Sequence, residues 1–286
     1  MTHGNGMRTA VLLAALGAGL ALAGVWSAGL LGLGFALVVA GVLAAVAFYF
    51  SDRIALRTMS ARPVSEVEQP RLYRIVRELS TRARLPMPRV YVSPMAASNA
   101  FATGRNPRLS AVCCTLGLLN ILDERQLRAV VAHELAHIRH RDTLISSVTA
   151  ALASLITGLA SLAWLLPLGA EDDDDDFGLL QGLMFMVLGP VAATLIQLAV
   201  TRNREYRADA AAAELTGDPE GLASALRAIE LGRHELPMEP SGRMMSTAHL
   251  MIVNPFRGGG MCSLFSTHPA TRARVRRLER MSDPDD

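Results

Sequence analysis

Lysine is missing altogether: all 28 basic residues are Arg, set against 26 Asp and Glu, for a formal net charge of +2. A chain so nearly balanced is excluded as a general binder of nucleic acid or other polyanions. Cysteine is scarce, with three in 286 residues and two of them adjacent at Cys113 and Cys114. That excludes a disulfide framework and a CxxC metal knuckle, and leaves the adjacent thiols as packing residues on opposite faces of a strand. Charged residues make up only 19% and aromatics 5%, while 51% are hydrophobic and the mean hydropathy is +0.29. An ordinary soluble domain is less oily than this.

The excess apolar content is concentrated. Residues 9–50, Thr9 through Phe50, carry no charged side chain. This run is about twice the roughly 20 residues that one helix needs to cross a bilayer, so it reads as two spans folded back on each other. The break falls at Trp26-Ser27-Ala28-Gly29, giving spans near 9–26 and 30–50 with Trp26 and Tyr49 as interfacial anchors. A cleaved signal peptide fits poorly, because its apolar core runs to about 7–15 residues. Two further candidates, near 143–168 and 177–200, flank an acidic tip from Glu171 to Asp176.

One Arg precedes the first span, 15 lie in residues 51–142 and 12 in residues 201–286, with none between the spans of either pair. By the positive-inside rule the two polar regions and both termini face the cytoplasm, and the chain crosses the bilayer four times. The alternative is that the second pair packs as an apolar hairpin within the globular part, since length alone does not separate a span from a buried helix. The expected organisation is a membrane hairpin at 1–50, a polar half at 51–142, a second hairpin at 143–200 with its tip at 171–176, and a second polar half at 201–286.

The polar halves read as α+β. Val67, Leu72, Ile75, Val76 and Leu79 predict an amphipathic helix over 66–84 with Pro70 in its first turn. Short β-favouring runs at 89–92, 99–103 and 110–115, punctuated by Pro94, Gly104 and Pro107, predict a small, partly antiparallel sheet. A helix follows from Asp123, whose carboxylate and Gln126 form a capping box, and it runs through Leu127, Val130, Val131 and Ile138.

On that helix lies the motif HExxH, His133-Glu134-Leu135-Ala136-His137. Positions i and i+4 share a helix face, so His133 and His137 can present two imidazoles to one divalent ion, and Glu134 can reach a water bound to it. A catalytic zinc site needs a third protein ligand and an open position for water. Glu205 is the best candidate, with Asp209 one turn later placed to accept a hydrogen bond from the far nitrogen of a ligand histidine. Taken alone this ExxxD pair is more often a surface charge pair than a ligand. His140 falls near the same face as the two histidines, but a fourth protein ligand would close the position needed by water.

Four stretches together carry a resemblance. They are Ser98-Asn99-Ala100-Phe101-Ala102-Thr103-Gly104, the HExxH with its continuation Ile138-Arg139-His140-Arg141-Asp142, Arg204-Glu205-Tyr206-Arg207-Ala208-Asp209, and Phe265-Ser266-Thr267-His268-Pro269. In these the chain resembles the membrane-bound zinc metalloproteases of the HtpX family (M48), gluzincins related to the Ste24 proteases, in the same order and interleaved with spans in the same places. The resemblance implies a mainly helical zincin-like domain with a small sheet and about four transmembrane helices. It implies zinc held by His133, His137 and Glu205, Glu134 as catalytic acid/base, and Asp209 in support. His268 is a candidate oxyanion donor, or else orients the start of a C-terminal helix. Asn99, Ala100 and Phe101 lie on a strand resembling the family's substrate-binding edge, where an extended peptide pairs through its backbone, unless that strand is paired inside the sheet.

The implied activity is cleavage of misfolded or damaged membrane proteins by a multi-pass protein of the cell membrane, its peptidase domain facing the cytoplasm. Polypeptides and the lipid bilayer are the implied partners. An intramembrane protease would carry HExxH inside a span, whereas here Arg125, Arg128, Arg139 and Arg141 bracket it. A non-catalytic scaffold keeping zinc for its fold would have no use for Glu134 beside the ligands.

Overall fold

In the computed structural model, residues 3–162, 202–235, 250–253 and 269–282 are described. The acidic tip, the candidate span at 177–200 and His268 lie outside them. The chain opens with helix α1, His3–Thr58, interrupted only by Gly29 with φ of +58°. That left-handed conformation is one glycine adopts at no steric cost, and here it reverses the chain. A Cβ built on Gly17 would lie 3.9 Å from that of Ala40, 23 residues on, where an unbroken helix would hold them about 35 Å apart. The hairpin read from the sequence thus turns at its expected break. The second arm, Gly29–Thr58, is long and apolar enough to cross a membrane, with a mean hydropathy of 2.6 over its best window. Leu30, Leu31, Phe35, Val38 and Val42 stand exposed on it.

The sheet contains β1 (Arg62–Pro63), β2 (Arg89–Ser93), β3 (Ala100–Thr103) and β4 (Ala111–Thr115), in the order β1-β2-β4-β3. Strand β2 runs parallel to β4, while β1 and β3 are antiparallel to their neighbours. All three expected strands are present. Strand β1 is too short for sequence periodicity to reveal.

Helix α2, Pro70–Arg82, starts with Pro70 at its first position and buries Leu72, Ile75, Val76 and Leu79. Val67 does not join that face and is 92% exposed. The helix begins later than its pattern predicted because residues 65–68 close their own turn, in which the Glu68 carboxylate accepts from the Ser65 backbone and hydroxyl. Helix α3, Leu116–Ile121, follows β4 and is capped by Thr115. Helix α4, Glu124–Arg139, begins at the expected capping box: the Gln126 N–H donates to Asp123 at 2.8 Å and the Asp123 N–H donates to Gln126 at 3.1 Å. Helix α5 is Asp142–Leu162, α6 Arg202–Thr216, α7 Pro219–Glu235 and α8 Thr271–Ser282.

These elements bury two apolar clusters, one on each face of the sheet. Cys114, Val112, Ala100 and Ala102 face α4 and the helices packed on it, whereas Cys113, Ala111 and Phe101 face the end of α1 at Ala55, Leu56 and Met59, with Ala150 of α5. Adjacent thiols therefore serve opposite cores, as strand alternation requires, and burial raises both above the usual thiol range. Helix α5 packs along α1, and residues 142–152 are buried except for Leu144. Helix α4 is central: it meets α2, β3, α5, α6 and α7, so whatever it displays is held from every side.

Candidate metal centre

Helix α4 presents its third turn to the start of α6. Glu205 stands in the first turn of α6, so the candidate ligands are drawn from the two polar halves of the chain. The Nε2 atoms of His133 and His137 lie 3.1 Å apart, and the Glu205 carboxylate oxygens lie 3.7 Å from the first and 3.6 Å from the second. All three donor atoms fall within 4.8 Å of one another, an arrangement able to hold one metal ion. The two rings meet at 90°. His140 is outside this group. It ends α4 as its C-terminal cap.

Each imidazole is braced from behind. Asp209, one turn after Glu205, places Oδ1 3.0 Å from Nδ1 of His133. Asp142, at the start of α5, places Oδ2 3.3 Å from Nδ1 of His137. A carboxylate behind a histidine fixes the proton on Nδ1 and leaves the Nε2 lone pair for a metal. Both carboxylates are gripped by buried arginines: Arg274 donates to Asp209 through Nε at 2.9 Å and Nη2 at 2.6 Å. Arg204 stands 3.4 Å from Asp142 and donates 2.7 Å to Ser146.

Burial and these partners set the charges. Burial brings the His133 imidazole down to about 4 against the pull of Asp209, which keeps it in the neutral form a metal needs. Burial also depresses His137, but Glu205 and Asp142 outweigh it and leave that ring raised. Burial works to raise Asp209, yet Arg274 and His133 prevail and hold it at about 2. Glu134 is 2% exposed, and burial pushes its carboxyl up to about 7, in the range where a group both takes and returns protons.

The cleft is lined by Ala102 of β3, both histidines, Glu134, Glu205 and residues 250–252. Strand β3 is the edge of the sheet, and the Ala102 backbone faces Glu134 and works against burial to lower its carboxyl. Its first half is partly occupied: Ile252 N–H donates to the Ala100 carbonyl at 3.0 Å, and the Asn99 amide donates to the Val253 carbonyl at 2.8 Å. Phe101 turns its side chain away from the metal helix into the α1 core. Of the residues expected on the substrate edge, Asn99 and Ala100 hold this neighbouring segment and Phe101 faces the other core; Ala102, not among those three, is the strand residue that lines the cleft.

Sequence reasoning missed Asp142, Arg204 and Arg274 as parts of this centre. A signal existed for Arg274, which sits beside Val275 and one turn before Leu278 on the apolar face of α8. An arginine on such a face needs a buried partner.

Residues 66–282 match the family model described as Peptidase family M48. Curated relatives named Protease HtpX homolog include one from Kineococcus radiotolerans, 49% identical and covering 98% of both chains, and one from Pseudarthrobacter chlorophenolicus, 50% identical and covering 98% of this chain and 97% of the relative. A solved structure of Ste24p from S. mikatae aligns at 19% identity with a TM-score of 0.49 over 97% of this chain, which spans 63% of that longer protein. Matched by the family model over most of its length and by full-length relatives at half identity, the chain belongs to peptidase family M48 and is a metallopeptidase.

Proposed function

We propose that the chain is a membrane-bound, zinc-dependent endopeptidase that cleaves unfolded or damaged membrane proteins, with His133, His137 and Glu205 as ligands and Glu134 as acid/base. One observation carries this reading. Ligand atoms about 2.0–2.2 Å from a tetrahedral zinc stand about 3.3–3.5 Å apart; here the two Nε2 atoms are 3.1 Å apart, one Glu205 oxygen is 3.7 Å from His133 and the other 3.6 Å from His137, and one ligand atom from each residue lies within 4.8 Å of the other two. Two imidazoles and one carboxylate suit zinc, whereas calcium and magnesium prefer all-oxygen sites.

Zinc, when bound, supplies a Lewis acid that polarises the scissile carbonyl and brings the pKa of water towards about 7. Glu134 takes the proton from the attacking water and passes it to the leaving amine. Its neighbour on β3, Ala102, lines the same cleft and marks the edge along which an extended substrate pairs. Asp209 and Asp142 keep both rings aimed. His268 is proposed as the donor to the developing oxyanion. Backbone pairing reads little side-chain identity, so substrates are selected by being extended rather than by sequence.

Membrane attachment is supported by the hairpin at Gly29 and by the exposed apolar face of Gly29–Thr58. The apolar runs at about 9–26, 30–50, 143–168 and 177–200 support four spans, and the arginine distribution supports placing the peptidase domain and both termini in the cytoplasm. The test is purification in detergent, zinc quantification and cleavage of an unfolded protein by wild type and Glu134→Gln. The proposal expects about one zinc per chain in both and cleavage by the wild type alone; equal cleavage by both refutes it.

A further inference from the structure

Arg274 heads the large, fully buried side chains of the described residues, at 1% exposure. A buried guanidinium persists only when its donors are used. Its Nε and Nη2 fork onto the two oxygens of Asp209 at 2.9 and 2.6 Å, and Nη1 donates to the Ile252 carbonyl at 2.7 Å, bracing the group from a third direction. Nη2 also lies 3.4 and 3.5 Å from the two ring nitrogens of His133, at the outer limit of hydrogen-bond distance. The oxygen of Asp209 that receives Nη2 is the one 3.0 Å from Nδ1 of His133. With both oxygens gripped from α8, the carboxylate cannot rotate away from the ring.

We infer that Arg274 is a positioning residue for the metal centre: its fork fixes Asp209 so that His133 keeps the tautomer and ring orientation that direct Nε2 towards Glu205 and His137. The inference rests on the ligand set proposed above. It makes the C-terminal helix, some 140 residues from the HExxH motif, part of the affinity of the site for its ion. Lysine keeps the charge, but a single ammonium does not span both carboxylate oxygens as the planar guanidinium does.

The test is the zinc dissociation constant, by chelator competition on full-length protein in detergent, for wild type, Arg274→Lys, Asp209→Asn and the double variant. Arg274→Lys is expected to weaken zinc binding by about tenfold or more, the loss typical when a partner supporting a ligand is removed. The double variant is expected to bind no more weakly than Asp209→Asn alone, because both changes break one linkage. The rise in Tm on adding zinc should shrink in Arg274→Lys, whereas a purely structural role lowers metal-free and zinc-loaded Tm alike. A dissociation constant for Arg274→Lys within twofold of wild type, or losses that multiply in the double variant, overturns the inference. If Arg274→Lys does not fold, Arg274→Gln decides by the same measurement: affinity within twofold of wild type overturns the inference, and a tenfold loss that is not increased further in the double variant with Asp209→Asn sustains it. Zinc retained in Glu205→Ala would instead sink the ligand set itself.

Discussion

Gly117 offers a test of how the proposed substrate edge is held. It lies in the first turn of α3, directly beneath the loop that leads into β3, and its N–H donates to the Met95 carbonyl at 3.1 Å. A methyl group added there would stand 1.8 Å from the carbonyl oxygen of Ala96, 2.5 Å from its carbon and 3.0 Å from the carbonyl carbon of Ala97. All three neighbours are backbone, so no side chain can swing aside, and the gap must open by more than an ångström. Overpacking of this kind costs typically about 1–3 kcal/mol. With backbone as the obstacle, the upper end applies, and Gly117→Ala should lower Tm by roughly 6–12 °C. The loop that must move continues into Asn99 and β3, while His133, His137 and Glu205 sit on α4 and α6. Zinc content should therefore stay at wild-type level as kcat/KM for an unfolded substrate falls about ten- to a hundredfold, since misplacement by an ångström has that effect. Differential scanning fluorimetry, metal quantification and a peptide-cleavage assay read the three quantities. A variant with unchanged Tm and kcat/KM within twofold of wild type would refute the packing argument and the role given to the edge.

Other consequences are more local. Asp142→Asn should weaken zinc about ten- to a hundredfold in chelator competition, because His137 loses the carboxylate that fixes its ring. Leu135→Ala, at a fully buried position between the two halves of the motif, should cost about 2–5 kcal/mol in a denaturant titration. Asp218 caps α7 by accepting from the Gly221 N–H at 2.9 Å and pairs with Arg125, so Asp218→Ala should cost about 1 kcal/mol at neutral pH. Arg125 first, and then the Gly221 N–H, hold the Asp218 carboxyl below its usual value. A depressed carboxyl stabilises the fold above its unfolded pKa of about 3.9 and loses that contribution as pH falls through the lower folded value. The difference between wild type and Asp218→Ala should therefore narrow in acid; a gap that widens below pH 4 would contradict the assignment.

Much of the centre was legible because its parts follow local rules. The capping box at Asp123 and Gln126 fixes where α4 starts, and the i, i+4 spacing then puts His133 and His137 on one face whatever the rest of the chain does. Glu205 and Asp209 obey the same rule on α6, but their meeting with α4 across 70 residues was not readable from spacing, and only the motif set pointed to it. Arg204, Arg274 and Asp142 were harder still, since each becomes visible only when helices from distant segments pack around α4. The misplaced Val67 shows a local rule losing to another: apolar spacing extended the helix, while the Ser65–Glu68 turn and Pro70 ended it sooner. Likewise the charge-free run 9–50 revealed a hairpin, but not that residues 250–253 would lie along the first half of β3.

The most direct test of the central claim is a crystal structure of zinc-loaded protein with anomalous diffraction measured on both sides of the zinc edge. The account predicts one strong peak about 2.0–2.2 Å from Nε2 of His133, Nε2 of His137 and a carboxylate oxygen of Glu205, with Asp209 and Asp142 behind the rings. A peak elsewhere, or an ion held by the histidines while Glu205 points out of reach, would contradict it.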